Sequence, residues 1–302
     1  MVVPTTVGLD GKHPRPLYVT AMLVLTTFFR GGSFLFTKIG VRDMSPQWFV
    51  LLRFLLATLI MLVVSLPRLK YITATTMRRG AVVGAALGVT NLSFVFGVQG
   101  TSISRAGILN NLFVLLIPLV SRLFWKERLD RLTGLGVMLA VAGITVLASA
   151  GGGLNRGDVV SLVCAGFIAI HILTVSHVIG DDDIWLISLV QFAVVTMVAW
   201  CSILLWPVPF HSPSASALAS LVYCAIFPTV VCFTLQNRYQ RYVTTSQAGL
   251  IYTLDPVWSL LAGTIILGES LQIREWFGCL LLFLAVLVPL LVKRYRERHV
   301  QM

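Results

Sequence analysis

Ten apolar stretches, each close to the ~20 residues that a bilayer crossing requires, follow one another between residues 17 and 292. In hydrocarbon every backbone N–H and C=O must be paired within the protein, so stretches of this length and uninterrupted apolarity are helices. They cover about 17–39, 46–66, 80–98, 104–124, 132–150, 159–179, 184–206, 217–236, 246–269 and 273–292. A mean hydropathy of +0.89 with only 12% charged residues excludes a soluble domain. The expectation is an all-α polytopic membrane protein. The net charge of +11 then belongs to loops rather than to a nucleic-acid surface. The five cysteines fall inside apolar stretches without metal-ligand spacing and read as small buried hydrophobes.

Loop charge orients the spans. With the N-terminus inside, Lys12, Arg15, Arg68, Lys70, Arg78, Arg79, Lys126, Arg128, Arg131, Arg238 and Arg241 lie on the cytoplasmic side. So do Lys293, Arg294, Arg296 and Arg298. Only Arg42, Arg105, Arg156 and Arg274 fall outside, an imbalance that puts both termini in the cytoplasm. Asp181, Asp182 and Asp183 sit on the inner side as a solvated loop.

A duplication runs through this arrangement. At an offset of 142, Ser104-Arg105-Ala106-Gly107 pairs with Ser246-Gln247-Ala248-Gly249, Glu127 with Glu269, and Leu129 with Leu271. Asn110 and Asn111 then fall opposite Tyr252 and Thr253, which puts polar groups at one depth in both copies. The expected organisation is a cytoplasmic lead (1–16), a first five-helix repeat (17–150), a glycine-rich linker (151–157), a second five-helix repeat (158–292) and a basic cytoplasmic tail (293–302). Five spans per repeat is an odd number, so the second repeat enters the membrane upside down. The result is ten transmembrane helices as two inverted five-helix repeats, an arrangement shared by many secondary transporters.

Chemistry concentrates in the ninth span. Asp255 lies near its middle, where a carboxylate costs at least ~2.5–3.5 kcal/mol and is expected to face protein or a wet cavity. Pro256 removes one helical hydrogen bond and disfavours helical geometry at Asp255. Other polar and aromatic groups collect at similar depth. Arg30 and Phe34 lie on the first span, Asn91 and Phe94 on the third, and Asn110 and Asn111 on the fourth. His171 and Thr174 fall on the sixth, Gln236 and Tyr239 on the eighth, and Tyr252 and Trp258 beside Asp255. Arg30 suits a carboxylate and Asp255 an ammonium, or the two simply pair with each other. His171 reads more readily as a hydrogen-bonded core histidine than as a proton carrier. Arg53 is expected to reach a membrane face or a neighbouring backbone, and Glu127 and Glu269 to serve structural roles at helix ends. Gly80, Gly84 and Gly88 form a small-residue ridge for close helix contact.

The five-plus-five repeat, with Ser-x-Ala-Gly opening its fourth and ninth spans, Glu127 and Glu269 closing them, and Pro256-Val257 before Glu269, resembles the EamA type of the drug/metabolite transporter superfamily. The first copy departs from this pattern: Val114 stands where Pro256 does and Pro118 comes one turn later, so its helix break is less expected. The resemblance implies a central cavity lined by spans 1, 3, 4, 6, 8 and 9, with spans 5 and 10 peripheral. It also implies a bacterial inner-membrane exporter of amino acids, aromatic and other neutral ones, that works by alternating access. A multidrug or lipophilic-cation exporter and a carrier of nucleotide-sugars or phosphorylated sugars are the alternatives. A membrane enzyme is disfavoured, since no paired carboxylates or His/Asp metal spacing occur at a surface position. Expected partners are a small-molecule substrate and the lipid bilayer, with no nucleic acid, metal or cofactor, and a monomeric or homodimeric state.

Overall fold

The structure, a computed structural model, describes residues 16–125, 131–149, 154–180, 182–243, 248, 251–252, 254–270 and 272–300. Its α-helices are α1 (Pro16–Gly40), α2 (Pro46–Ser65), α3 (Ala74–Gly100), α4 (Ile103–Asn111), α5 (Phe113–Trp125) and α6 (Arg131–Ser149). The second half adds α7 (Arg156–Val178), α8 (Ile184–Leu205), α9 (Ala215–Cys224), α10 (Cys232–Tyr239), α11 (Asp255–Ile266) and α12 (Ile273–Val300). Among the described residues there is no strand. The lead (1–15), Glu127, the glycines of the linker, Asp181, Ser246, Gln247, Gly249, Thr253 and Leu271 lie outside them.

Among the described residues, six helical segments are long and apolar enough to cross a membrane: Leu17–Gly40, Pro46–Tyr71, Ala74–Gly100, Arg156–Val178, Ile184–Leu205 and Ala215–Tyr242. The fourth, fifth, ninth and tenth expected spans coincide with shorter apolar helices, Ile103–Ile117, Gly134–Gly143, Asp255–Ile266 and Trp276–Ala285. Some boundaries move. Helix α3 begins six residues earlier than hydropathy suggests, because the Thr73 hydroxyl caps it by accepting from the Thr76 N–H. Helix α12 continues past 292 to Val300, so the basic tail extends the last helix.

Nearly every main packing pair joins one half to the other: α3 with α7 and α8, α2 with α8, α4 with α11, α1 with α9 and α11, and α6 with α12. The glycine ridge makes one of these pairs possible. A Cβ added at Gly84 would stand 2.7 Å from the Gln191 carbonyl oxygen, and one at Gly88 would stand 3.0 Å from the Val198 side chain. Both neighbours belong to α8, so α3 approaches that helix backbone to backbone. The α6–α12 pair is similarly close, with the Gly143 position 3.1 Å from the Gly278 carbonyl oxygen. Cys164, Cys224, Cys232 and Cys279 are buried as expected, but Cys201 is exposed on α8.

Three interruptions shape the interior. Between α4 and α5 the Leu112 N–H donates to the Leu109 carbonyl (3.2 Å), and the Leu116 N–H to the Leu112 carbonyl (3.2 Å). At the same register 142 residues later, Leu254 N–H donates to Ile251 (3.2 Å) and Trp258 N–H to Leu254 (3.2 Å). The first break therefore exists without a proline, contrary to the weaker expectation for that copy. The tight i−3 turn at Leu112 closes α4 behind two asparagines, residues that favour helix ends over interiors. The third interruption is a π-helical turn over Ala225–Val231 around Pro228, which separates α9 from α10. Thr229 there donates its hydroxyl to the Cys224 carbonyl at 2.7 Å, pairing an oxygen that the wider turn frees.

Polar contacts tie both ends of the bundle. At one end Lys38 Nζ donates to the carbonyls of Val98 (2.8 Å), Gln99 (3.1 Å) and Thr101 (2.6 Å). Glu269 accepts from the N–H groups of Ile103 (2.8 Å) and Ser104 (3.1 Å) and from the Ser104 hydroxyl (2.7 Å), capping α4 from the other repeat. Arg105 pairs with Asp158 at 2.6 Å beside them. At the opposite end Arg79 pairs with Asp182 (2.6 Å) and Arg68 with Asp183 (3.4 Å). The acidic loop is thus not merely solvated. Asp182 bridges to α3, and Asp183 caps α8 through the Trp185 N–H at 2.8 Å.

Glu269→Gln offers the Ile103 and Ser104 N–H groups one acceptor oxygen instead of two and removes a negative charge from a helix N-terminus. We expect a loss of about 1–3 kcal/mol, seen as a detergent melting midpoint lower by at least a few degrees. An unchanged midpoint would show that this tie adds nothing to the fold.

Candidate functional site

A cavity lies where the broken helices meet. Its walls come from α1 (Arg30, Ser33, Phe34), α3 (Asn91, Phe94), α4 (Asn110, Asn111) and α7 (His171). Arg53 of α2, Phe113 of α5, Pro228 of the π turn, Gln236 of α10 and Asp255 of α11 also line it. Nine of the thirteen residues singled out in the sequence meet here. Spans 1, 3, 4, 6, 8 and 9 all contribute, span 2 joins them through Arg53, and among the described residues none of spans 5 and 10 lines it. The cavity offers about 80 Å³ to the centres of water-sized molecules. That is well below the ~300 Å³ at which typical ligand pockets begin, so a bulky solute enters only if the walls part.

The ninth span explains the charge at the centre. Its break leaves Asp255 as the first residue of α11, with Pro256 second. There the positive end of the helix dipole favours a carboxylate, and proline has no bond to lose. Asp255 Oδ2 accepts from Arg30 Nη2 at 3.0 Å. The Arg30 guanidinium also lies 4.8 Å from the centre of the Tyr252 ring. Asp255 Oδ1 is buried and has no partner among the described residues. The internal ion pair therefore forms and still leaves one carboxylate oxygen on offer.

The other break contributes in the same way. Both amide atoms of Asn110 and the Oδ1 of Asn111 are buried without partners among the described residues. Polar atoms left unpaired in an interior are costly unless something bonds to them in use. Asn91 satisfies its amide nitrogen locally on the Leu87 carbonyl at 3.1 Å. His171 has its Nε2 within 3.5 Å of Gln191 Nε2, and Gln191 in turn accepts from Asn237 at 2.7 Å. It is thus both a wall residue and part of a buried amide network. Phe34 and Phe94 meet edge to face, with centroids 4.9 Å apart, as an apolar wall.

Four of the singled-out residues stand elsewhere. Thr174 donates to the Ile170 carbonyl at 2.7 Å on its own helix. Tyr239 packs with Val19 and Leu23 and faces Tyr18 edge-on. Trp258 points the other way along α1, with its indole N–H donating to Thr27 Oγ1 at 3.2 Å and Phe28 against its face. Tyr252 sits behind Arg30 and donates to Gln240 Oε1 at 3.3 Å. Each stands three positions from a wall residue on its span, and a three-residue step on a helix swings a side chain by about 60° from perfect alignment, enough to move it out of the cavity.

Two residues were missed as wall or hub. Gln240 joins Gln236 (2.8 Å), Tyr252, the Ile172 carbonyl (3.2 Å) and Ser176 (2.9 Å). Arg53 is the larger correction. It reaches neither a membrane face nor a backbone but the cavity itself, at 2% exposure. Its Nε donates to Thr229 Oγ1 at 2.7 Å, a hydroxyl held in place by the π turn.

The EamA-like transporter family matches this chain twice, over residues 18–149 and again over 155–291. A protein of Archaeoglobus fulgidus described as an uncharacterized transporter is 29% identical over 282 residues, covering 93% of this chain and 88% of the relative. The uncharacterized transporter YetK of Bacillus subtilis is 24% identical over 268 residues, covering 82% and 79% respectively. One solved crystal structure shares the fold with a TM-score of 0.67 at 19% identity, over 94% of this chain and all of the other.

Proposed function

Because the chain belongs to the EamA-like transporter family, a family of polytopic membrane proteins, we propose that it exports small amphipathic metabolites, amino acids with neutral or aromatic side chains above all. The observation that carries this reading is the buried Asp255 Oδ1, without a partner among the described residues, beside Arg30 in the cavity. Such an oxygen suits an ammonium group, while the unpaired amides of Asn110 and Asn111 suit a polar backbone and Phe34 with Phe94 an apolar side chain.

In this reading two repeats of opposite orientation, residues 17–150 and 158–292, rock about the cavity. The polar ties at the two ends open in turn, the Lys38, Glu269 and Arg105 set on one side and the Arg79 and Arg68 pairs on the other. Both termini lie in the cytoplasm beside a bacterial inner membrane, a placement supported by the basic loops. The carrier is a monomer or a homodimer. The test is flux in reconstituted liposomes over a panel of neutral and aromatic amino acids and lipophilic cations, with and without a pH gradient. Saturable amino-acid flux supports the reading. Flux of cations alone would replace it with the multidrug alternative.

A further inference from the structure

We infer that Arg53, not Arg30, is the residue that receives an anionic group of the cargo, and that this group is a carboxylate. The inference rests on the cavity being the binding site of a carrier, but not on the cargo being an amino acid.

Arg30 is committed, with its Nη2 on Asp255 and its face on Tyr252. Arg53 has no acidic partner within ion-pair distance among the described residues, and its Nη1 is buried without any acceptor. A guanidinium cannot shed its charge in a protein, so it cannot escape burial by becoming neutral. Burying an unpaired cation is expensive, and a site that keeps one holds it for an anion that arrives. Thr229 fixes the Nε, which leaves the fork end of the planar group to present paired N–H donors. The Phe54 ring, 5.4 Å from the guanidinium carbon, supports it from its own helix.

The charge count selects the anion. Arg30, Arg53 and Asp255 are the formally charged groups in the wall, and together they leave one positive charge. A monoanionic carboxylate matches the bidentate fork and pairs with that charge. A phosphate dianion calls for two uncommitted cations, and only Arg53 is uncommitted.

Three probes with one apolar body separate the possibilities: phenylalanine, phenylalanine amide and 3-phenylpropionate. Binding to the purified protein in detergent is read by isothermal titration and by the shift in melting midpoint. The expected result is that both carboxylates bind, that the amide binds at least about tenfold more weakly, and that Arg53→Gln erases the difference. Arg53→Lys, which keeps charge but loses the fork, recovers part of it. An Arg53→Gln protein that still prefers carboxylates, or a wild type that binds the amide as well as the acid, overturns the inference. If Arg53→Gln does not fold, the wild-type acid–amide comparison decides alone. Phenylpropionate binding without phenylalanine binding would instead contradict the amino-acid reading and leave the role of Arg53 intact. Tighter binding of phenyl phosphate than of phenylpropionate would overturn the choice of carboxylate.

Discussion

Asp255→Asn will cut wild-type substrate flux in proteoliposomes by roughly a hundredfold, the effect of losing one charge-assisted contact of about 3 kcal/mol. The substitution keeps the size and one acceptor oxygen, so Arg30 retains a hydrogen bond and the protein still folds. What disappears is the negative charge that the unpartnered Oδ1 presents to the cavity. Arg30→Ala acts differently. It strands a buried carboxylate and costs about 3–5 kcal/mol of stability, visible as lost expression or a lowered melting midpoint. The double variant Arg30→Gln with Asp255→Asn separates structure from transport. It removes both charges together, so its stability recovers, whereas flux stays at the level of Asp255→Asn. If the double variant regains full flux, the pair is a structural tie and nothing more.

The second large effect falls on packing rather than chemistry. Gly84→Leu places a branched side chain where even a Cβ would stand 2.7 Å from the Gln191 carbonyl oxygen and 2.8 Å from the Val194 side chain. A backbone carbonyl inside α8 cannot move aside, so α3 must shift away from α8. Because α3 also carries Asn91 and Phe94, that shift pulls one wall from the cavity. Overpacking of this kind costs ~1–3 kcal/mol or more, and we expect the purified variant to melt well below wild type or to aggregate on extraction. Gly166→Leu on α7 is the matched control, since nothing stands within 4 Å of its added Cβ. Equal melting of the two variants would contradict the close α3–α8 approach.

Much of this arrangement was legible in the residues because membrane physics leaves few options. A proline directly after an aspartate within an apolar span announces both a broken helix and a placed charge. The structure puts that pair at the head of α11, with Arg30 against it. Gly80, Gly84 and Gly88 are legible for the same reason, since four-residue spacing of small side chains has little use except close contact. The break after Asn111 was harder to see. It has no proline, and only the matching hydrogen bonds at Leu112 and Leu254 reveal that both copies break at one register. Arg53 was misplaced because a lone cation two turns into a span normally snorkels to the headgroups. The signal against that reading was Pro228-Thr229, whose π turn presents a hydroxyl to Arg53 from a helix 176 positions away in sequence. Tyr239 and Trp258 show the limit of depth as a guide. Depth in the membrane follows from position along the chain, whereas the direction of a side chain follows from helix rotation, which packing partners set.

The account depends on the cavity around Arg30, Arg53 and Asp255 meeting water from each side of the membrane in turn. Ser33 lines that cavity at 5% exposure and carries no charge, so Ser33→Cys in a background without the native cysteines makes a reporter at its wall. The decisive measurement is modification of that cysteine by a membrane-impermeant maleimide applied to either face of oriented vesicles. The account predicts reaction from both faces, slowed by a saturating transported substrate. No reaction from either face in any condition, alongside normal flux, would mean that cargo crosses this protein by another route.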